Sequence, residues 1–203
     1  MTSIDSITID ADDPAAAETF YATAFGLGDT IRVRASDVPT TGFRGFTLSL
    51  IAGQPADVAA LFDSAVAAGA EIIKPVEKSL WGVGGVVRAP DGTIWQIATS
   101  SKKDAGPATR KVDHVVLLLA AADVAASKRF YADRGLRVAK SFGTYVDFDM
   151  TGSPVGLGLY SRKALAKAAG VAPDGSGSHR LVIDSRTEPF TDPDGFAWGA
   201  ASA

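Results

Sequence analysis

The 203-residue chain predicts an α+β fold of tandem paired βαβββ units in mixed sheets, with a trimmed unit in each copy. Three observations carry this. Each half mixes amphipathic helical stretches with short strand-like runs, and strands outnumber helices. The halves repeat each other: Ile4-Asp5-Ser6-Ile7, Phe20-Tyr21 and Gly26-Leu27 return as Val112-Asp113-His114-Val115, Phe130-Tyr131 and Gly135-Leu136. Near the end of each half, Pro90-Asp91-Gly92-Thr93-Ile94-Trp95 returns as Pro193-Asp194-Gly195-Phe196-Ala197-Trp198. The spacing between copies is shorter at the back than at the front, the mark of a duplication followed by unequal deletions.

Taken in order, Ser6 to Asp10 predicts a strand. Pro14, a good first-turn residue after Asp12-Asp13, opens a helix to about Phe25, with Ala17, Phe20, Tyr21 and Ala24 on one face and Gly26 as its C-cap. A short strand over Ile31 to Arg34 and another over Phe46 to Ile51 follow, then a helix from Pro55 to Ala68 closed by Gly69. Strands over Glu71 to Pro75, Gly85 to Arg88 and Thr93 to Thr99 complete the first copy, the last two joined by a Pro90-Asp91-Gly92 turn. The second copy offers a strand over Val112 to Leu119, a helix from Asp123 to Arg134, and strands near Arg137 to Ser141, Thr144 to Met150 and Val155 to Tyr160. A short helix over Lys163 to Ala169, a Gly/Ser-rich loop, a strand over His179 to Asp184 and a final strand over Phe196 to Ala200 end it. Almost nothing between Arg34 and Thr47 can make two further strands, and Ser185 to Thr191 stands where the first copy has a helix and two strands. Ser100 to Lys111 is polar and carries Gly and Pro, so the division predicted is 1–100, a linker over 101–111, and 112–203.

The composition narrows the function. A net charge of −3 gives no basic footprint for nucleic acid and no polybasic membrane patch. With no cysteine, disulfides, thiolate zinc sites, iron–sulfur clusters and a cysteine nucleophile are excluded. The first thirteen residues hold four Asp and no Lys or Arg, unlike the charged start of a signal peptide. The longest apolar run, Val115 to Ala122, is far short of the roughly 20 residues that span a bilayer. A cytoplasmic protein acting on small molecules is the expectation.

The ordered set Ala17-Glu18-Thr19-Phe20-Tyr21 to Leu27, Gly69-Ala70-Glu71-Ile72-Ile73-Lys74-Pro75, Trp81-Gly82 and Pro90-Asp91-Gly92 to Trp95, half of it repeated in the second copy, resembles the vicinal oxygen chelate superfamily. That group includes glyoxalase I, bleomycin-resistance proteins and extradiol dioxygenases. The resemblance covers nearly the whole chain. It implies paired units curled into open barrels around a pocket, with one divalent metal there in enzymatic members. It puts the metal-ligand positions at Ser6 and His114 on first strands, at Gln96 and Gly199 after each Trp, and near Gly45 and His179 on the strands opening the second units. Both histidines of the chain therefore stand at ligand positions, as a two-His-one-carboxylate iron site would use them, but position 199 is Gly and has no side chain to donate.

Two readings follow from the resemblance. The favoured one is a protein without metal or cofactor that binds a small hydrophobic, aromatic or antibiotic-like molecule, with Trp81, Trp95, Trp198, Phe46, Tyr145 and Tyr160 as lining residues. About half of these rings would instead pack under helices. The other is a lyase or dioxygenase holding a divalent metal (Fe, Zn, Mn or Ni) through His114, His179 and Gln96. Set against it, His114 beside Asp113 reads equally as a satisfied polar residue or a remnant, and His179 as a loop-edge residue. A Ser6–His114–Asp113 triad can be drawn but lacks a nucleophile elbow. Gly82-Val83-Gly84-Gly85 precedes a strand rather than a helix, so it predicts a pocket border and not a phosphate loop. A module serving assembly alone is the blandest alternative. Strand edges left by the trimming suit cover by a second chain, which leans the expectation to a homodimer.

Overall fold

The computed structural model describes residues 3 to 199; the Ala200 end of the last predicted strand lies outside them. In chain order the elements are β1 (Ser6–Ala11), α1 (Pro14–Ala24), β2 (Ile31–Ala35), β3 (Thr40–Gly42), β4 (Phe46–Ile51), α2 (Pro55–Ala67), β5 (Glu71–Ser79), β6 (Gly82–Arg88) and β7 (Ile94–Thr99). Then come β8 (His114–Ala121), α3 (Val124–Asp133), β9 (Val138–Phe142), β10 (Tyr145–Phe148), β11 (Val155–Ser161), α4 (Arg162–Ala169), β12 (Gly175–Gly177), β13 (Leu181–Asp184), β14 (Phe190–Thr191) and β15 (Ala197–Gly199). The helix starts follow the sequence chemistry: the Asp13, Asp123 and Ser161 side chains each accept from a backbone N–H of the first turn of the helix they precede.

The strands form an eight-stranded sheet in the order β5-β6-β7-β4-β8-β11-β10-β9 and a five-stranded sheet in the order β14-β15-β13-β1-β2. Most pairings are antiparallel, and the parallel ones join the first strand of each unit to its last: β4 to β7, β8 to β11, β13 to β15 and β1 to β2. In the first unit β2 takes the place of the last strand, which is how the fold tolerates the missing pair.

The division at 101–111 is not a division between sheets. The large sheet joins the copies through β4 and β8, and the small one joins them through β1 and β13. Nor does the segment read as a linker hang free. The Gln54 carboxamide accepts from the backbone N–H of Ala105 and Gly106 and donates to the Pro107 carbonyl. Asp57 accepts from the Thr109 N–H and hydroxyl and from the Arg110 N–H, while Asp104 caps α2 at the Ala56 N–H. Polar composition marked a linker; Gln54 and Asp57 at the start of α2, with Asp104 of the segment itself, tie it down. Hydrogen bonding from Thr109 holds the Asp57 carboxyl below its ordinary value. The stability this confers is present above about pH 4, the ordinary carboxylate value, and is lost as pH falls through the lower folded value. Asp57→Ala is accordingly expected to cost stability at pH 7 and to flatten acid unfolding, read from chemical denaturation between pH 2 and 7.

A continuous apolar core joins the helix-facing sides of both sheets, from Ile7 and Ile9 through Leu48, Leu50, Trp95 and Ile97 to Leu117, Leu157 and Trp198. Each copy latches a helix to a hairpin. Tyr21 Oη donates to Asp91 Oδ2 at 2.5 Å, and Tyr131 Oη donates to Asp192 Oδ2 at 2.6 Å while accepting from Trp198 Nε1 at 3.2 Å. Burial first, and then the neighbouring carboxylate, pushes both phenols up, so they stay protonated donors. Tyr131→Phe leaves a buried carboxylate oxygen and an indole N–H short of partners and is expected to cost about 1–3 kcal/mol, measured by urea denaturation.

Candidate functional site

Along each strand of the large sheet, alternate residues face away from α1, α2 and α3. On β4 and β7 these are Thr47, Ser49, Ile94, Gln96 and Ala98; on β8 and β11 they include Leu118, Ala120, Gly156, Gly158 and Tyr160. This is the face on which the resemblance places a pocket. Helix α4 lies across it. Leu165, Ala166 and Ala169 are buried against Phe43, Val86, Ile94 and Ala120, with Leu118 and Tyr160 at the margin. The helix is fixed at both ends. Lys74 Nζ donates to the Lys167 and Ala168 carbonyls at its C-terminus, and the Arg162 guanidinium donates to the carbonyls of Pro173 and Phe43.

On one side of α4 a trough of about 500 Å³ runs past Trp81, Gly84, Gln96, Ala98 and Ala168. The glycine run borders it but lies within β6 and not ahead of a strand, and its glycines are there for close packing. A Cβ on Gly82 would fall on the Thr99 carbonyl, and one on Gly85 would strike the Phe62 ring. On the other side, at the rim of the sheet, lies a cavity of about 450 Å³ walled by Phe43, Phe46, Ile94 and Val171, with Thr40, Arg44, Arg88 and Asp174 also lining it. Its outer wall is the two-stranded ribbon of β3 and β12, closed by Phe43 N–H on the Asp174 carbonyl. Thr40 Oγ1 and Arg44 Nη1 are buried without a hydrogen-bond partner. Thr93 Oγ1, on the same wall, and Trp95 Nε1 also make no complete hydrogen bond, though both influence the Tyr21 phenol.

Of the six rings expected to line a pocket, Phe46 lines the rim cavity and Trp81, 87% exposed at the β5–β6 tip, lines the trough. Tyr145 and Tyr160 pair across β10 and β11 with ring centroids 4.8 Å apart on the α4 side, and burial followed by the Asp147 charge pushes Tyr145 up to about 12. Trp95 and Trp198 do not line a pocket. Trp95 is 0% exposed between Tyr21 and Phe25, and Trp198 is 2% exposed between Tyr131 and Phe190. The strand period puts them on the helix side, one residue out of step with Ile94 and Gln96.

The ligand set His114, His179 and Gln96 is not brought together. His114 pairs with Ile51 at one end of β4, whereas His179 sits against Gly45 at the other. At about 3.3 Å per residue those ends are about 20 Å apart, and ligands of one metal must each lie within about 2–2.5 Å of it. His179 has both ring nitrogens on carbonyl oxygens, Nδ1 at 2.5 Å from that of Arg44 and Nε2 at 3.0 Å from that of Asp194, and it stacks on Phe196. It is a clamp between the start of β4 and the Pro193-Asp194-Gly195 turn. His114 is exposed, and Gln96 Nε2 donates to Thr47 Oγ1 at 2.9 Å. Ser6 donates to Asp184 Oδ2 at 2.7 Å, as does Thr8 at 2.8 Å, so no Ser6–His114–Asp113 triad forms. At Gly199 a Cβ would meet the Pro189 ring at 3.1 Å: proline fills the space a carboxylate side chain would need. Among the described residues no three His, Asp or Glu stand together as a metal site. The described residues therefore do not fit the divalent metal that the resemblance implies.

Sequence reasoning missed Arg44, Thr40 and the β3–β12 ribbon. Three-residue strands rich in Gly and Thr have no periodicity to read; only their pairing with each other makes them strands. A lone Arg inside Phe43-Arg44-Gly45-Phe46 was the one available signal.

No family model and no curated protein matches the chain. Solved structures do. Glyoxalase I from Zea mays superposes with a TM-score of 0.65 at 13% identity, covering 98% of this chain and 91% of that one. A putative dioxygenase from Bacillus subtilis superposes with a TM-score of 0.55 at 12% identity, covering 89% of this chain and 69% of that one. Likeness at such identity is a likeness of fold, and function must come from the site. The order of elements, the pairing of units across the copies and these superpositions agree: the chain has the paired βαβββ fold seen in glyoxalase I.

Proposed function

We propose that the protein binds a small aromatic molecule without a metal, in the rim cavity beside α4. The observation that carries this reading is a cavity of about 450 Å³ with an apolar wall of Phe43, Phe46, Ile94 and Val171 and two buried polar groups, Thr40 Oγ1 and Arg44 Nη1, left without partners. The volume is that of a small-molecule site, and the lining is mixed, an apolar wall set against convergent polar and charged groups. Buried polar atoms are ordinarily paired, and a group left unpaired costs about 1–3 kcal/mol, a cost a ligand can relieve. The cavity is built from one chain, and the edge strands β5 and β9 carry Lys74, Glu77, Lys78 and Lys140, charges that oppose edge-to-edge docking. The binding proposed here therefore needs no second copy, and its expected setting is the cytoplasm. Among the described residues no helix is long and apolar enough to cross a membrane.

The test is amide chemical-shift mapping with a panel of aromatic compounds, in EDTA. Binding is expected to move residues 40–46, 92–94 and 171–174. Shifts centred on Trp81 and Gln96 would transfer the site to the trough, and no shift with any compound would remove the reading. Intrinsic fluorescence is a poor substitute, because Trp95 and Trp198 are enclosed in the core and only Trp81 faces solvent.

A further inference from the structure

We infer that the ligand of the rim cavity is an aromatic monocarboxylate whose charge is neutralised by the Arg44 guanidinium. This rests on the reading of the cavity as a binding site and adds the chemical class. Arg44 is a partly buried cation with no ion pair among the described residues. Its Nη2 donates to the backbone carbonyl of Asp91, a neutral acceptor, and its Nη1 has no partner. The nearest carboxylate is already engaged: Asp91 Oδ2 accepts from the Tyr21 hydroxyl and Oδ1 from the Thr93 N–H. The other neighbouring charges cancel, since Arg180 pairs with Asp12 at 2.8 Å. Burial, the largest influence on Arg44, disfavours its charged form.

The Asp91 charge favours the Arg44 cation from a distance but gives Nη1 no oxygen, and a buried guanidinium N–H left unpaired costs free energy unless an acceptor meets it. The other arginines in or near the cavity leave no buried N–H without a partner. Arg88 pairs with Glu71 at 2.7 Å, Arg180 donates to the Val38 carbonyl as well as to Asp12, and Arg162 bonds the carbonyls of Pro173 and Phe43. Arg44 alone of these has a buried N–H without a partner, in a cavity that the unpaired Thr40 hydroxyl also lines. A carboxylate accepts from both kinds of donor. The Phe43, Phe46 and Ile94 wall then receives the ring. Asp174 at the mouth disfavours a second negative charge on the ligand, so the class is a monoacid.

The experiment is calorimetric titration of cinnamate and benzoate against the neutral amides cinnamamide and benzamide, on the full chain and on Arg44→Gln. The acids are expected to bind at least tenfold more tightly than their amides at low salt, and Arg44→Gln to abolish that preference while leaving amide affinity within about threefold. Equal affinity for acid and amide in the unsubstituted protein overturns the inference while the binding reading stands. Failure of all four compounds to bind overturns both. Should Arg44→Gln not fold, the decision falls to Arg44→Lys, which keeps the charge and is expected to keep a weakened acid preference; a preference unchanged by this loss of the planar fork would overturn the assignment to Arg44.

Discussion

Trp95→Ala is expected to lower the unfolding free energy by about 3–5 kcal/mol, the usual cost of emptying a fully packed aromatic site, and Trp81→Ala to change it by no more than about 0.5 kcal/mol. The two rings look alike in the sequence, each beside a glycine-bearing turn. Trp95 sits 4.9 Å from the Phe25 ring and 5.5 Å from that of Tyr21, completely enclosed, so its removal leaves a void lined by α1 and β7. Trp81 makes one local contact, its backbone N–H donating to the Ser79 hydroxyl, and the ring stands in solvent. Guanidinium denaturation of the two variants decides it. A cost under about 1 kcal/mol for Trp95→Ala would mean that this ring is not a core element and would reopen it as a lining residue.

Leu165→Asp should produce the second large effect, and the size of that effect separates two responses of the fold. Leu165 is wholly buried between α4 and the face of the large sheet opposite the other helices. An aspartate there either stays buried as an unpaired charge, which costs several kcal/mol, or carries α4 off the sheet. Lifting the helix exposes Ala166, Ala169, Phe43 and Ile94 and breaks the bonds from Lys74 and Arg162. The fold takes the cheaper route. Detachment is expected, visible as fast hydrogen exchange of residues 162–175 with the amides of β4 and β8 still protected. The rim cavity and the trough would then become one open groove, and the acid-over-amide preference at Arg44 would fall because the Phe43 wall loses the helix that backs it. Uniform loss of protection across all strands would instead show α4 to be part of the cooperative core.

The fold was legible to the extent that its elements were periodic. Phe46 to Ile51 alternates, and Pro55 to Ala67 carries Val58, Leu61, Phe62 and Ala65 on one face, so both appear where the pattern puts them. The repeat identified the units and which of them were trimmed. It could not show that units pair across the copies, because strand pairing depends on residues nearly the whole chain apart, as in Ser6 with Asp184. The site was less legible for a related reason. Its walls come from the segments with least pattern: the stretch around Thr40 to Arg44, and Val171 to Asp174. The histidines drew attention by standing at metal positions, yet His179 is a carbonyl clamp and His114 lies at the far end of a strand. Motif arithmetic recorded where the family keeps ligands; it could not record that Pro189 fills the space beside Gly199, or that a helix of this chain lies across the pocket face.

The pairing of β1 with β13 sets a timetable for synthesis. β1 must wait, with its main-chain donors and acceptors open on that side, until residues 181 to 184 have left the ribosome. At about 5–20 residues per second that interval is about 10–35 s. During it the large sheet, whose last strand ends at Ser161, can close first, while Ile7 and Ile9 remain free to find a wrong neighbour. Such long-range closure slows folding and prolongs the life of a sticky nascent edge. The polypeptide thus has a stage of its own making at which a chaperone would be of most use, after β11 and before β13.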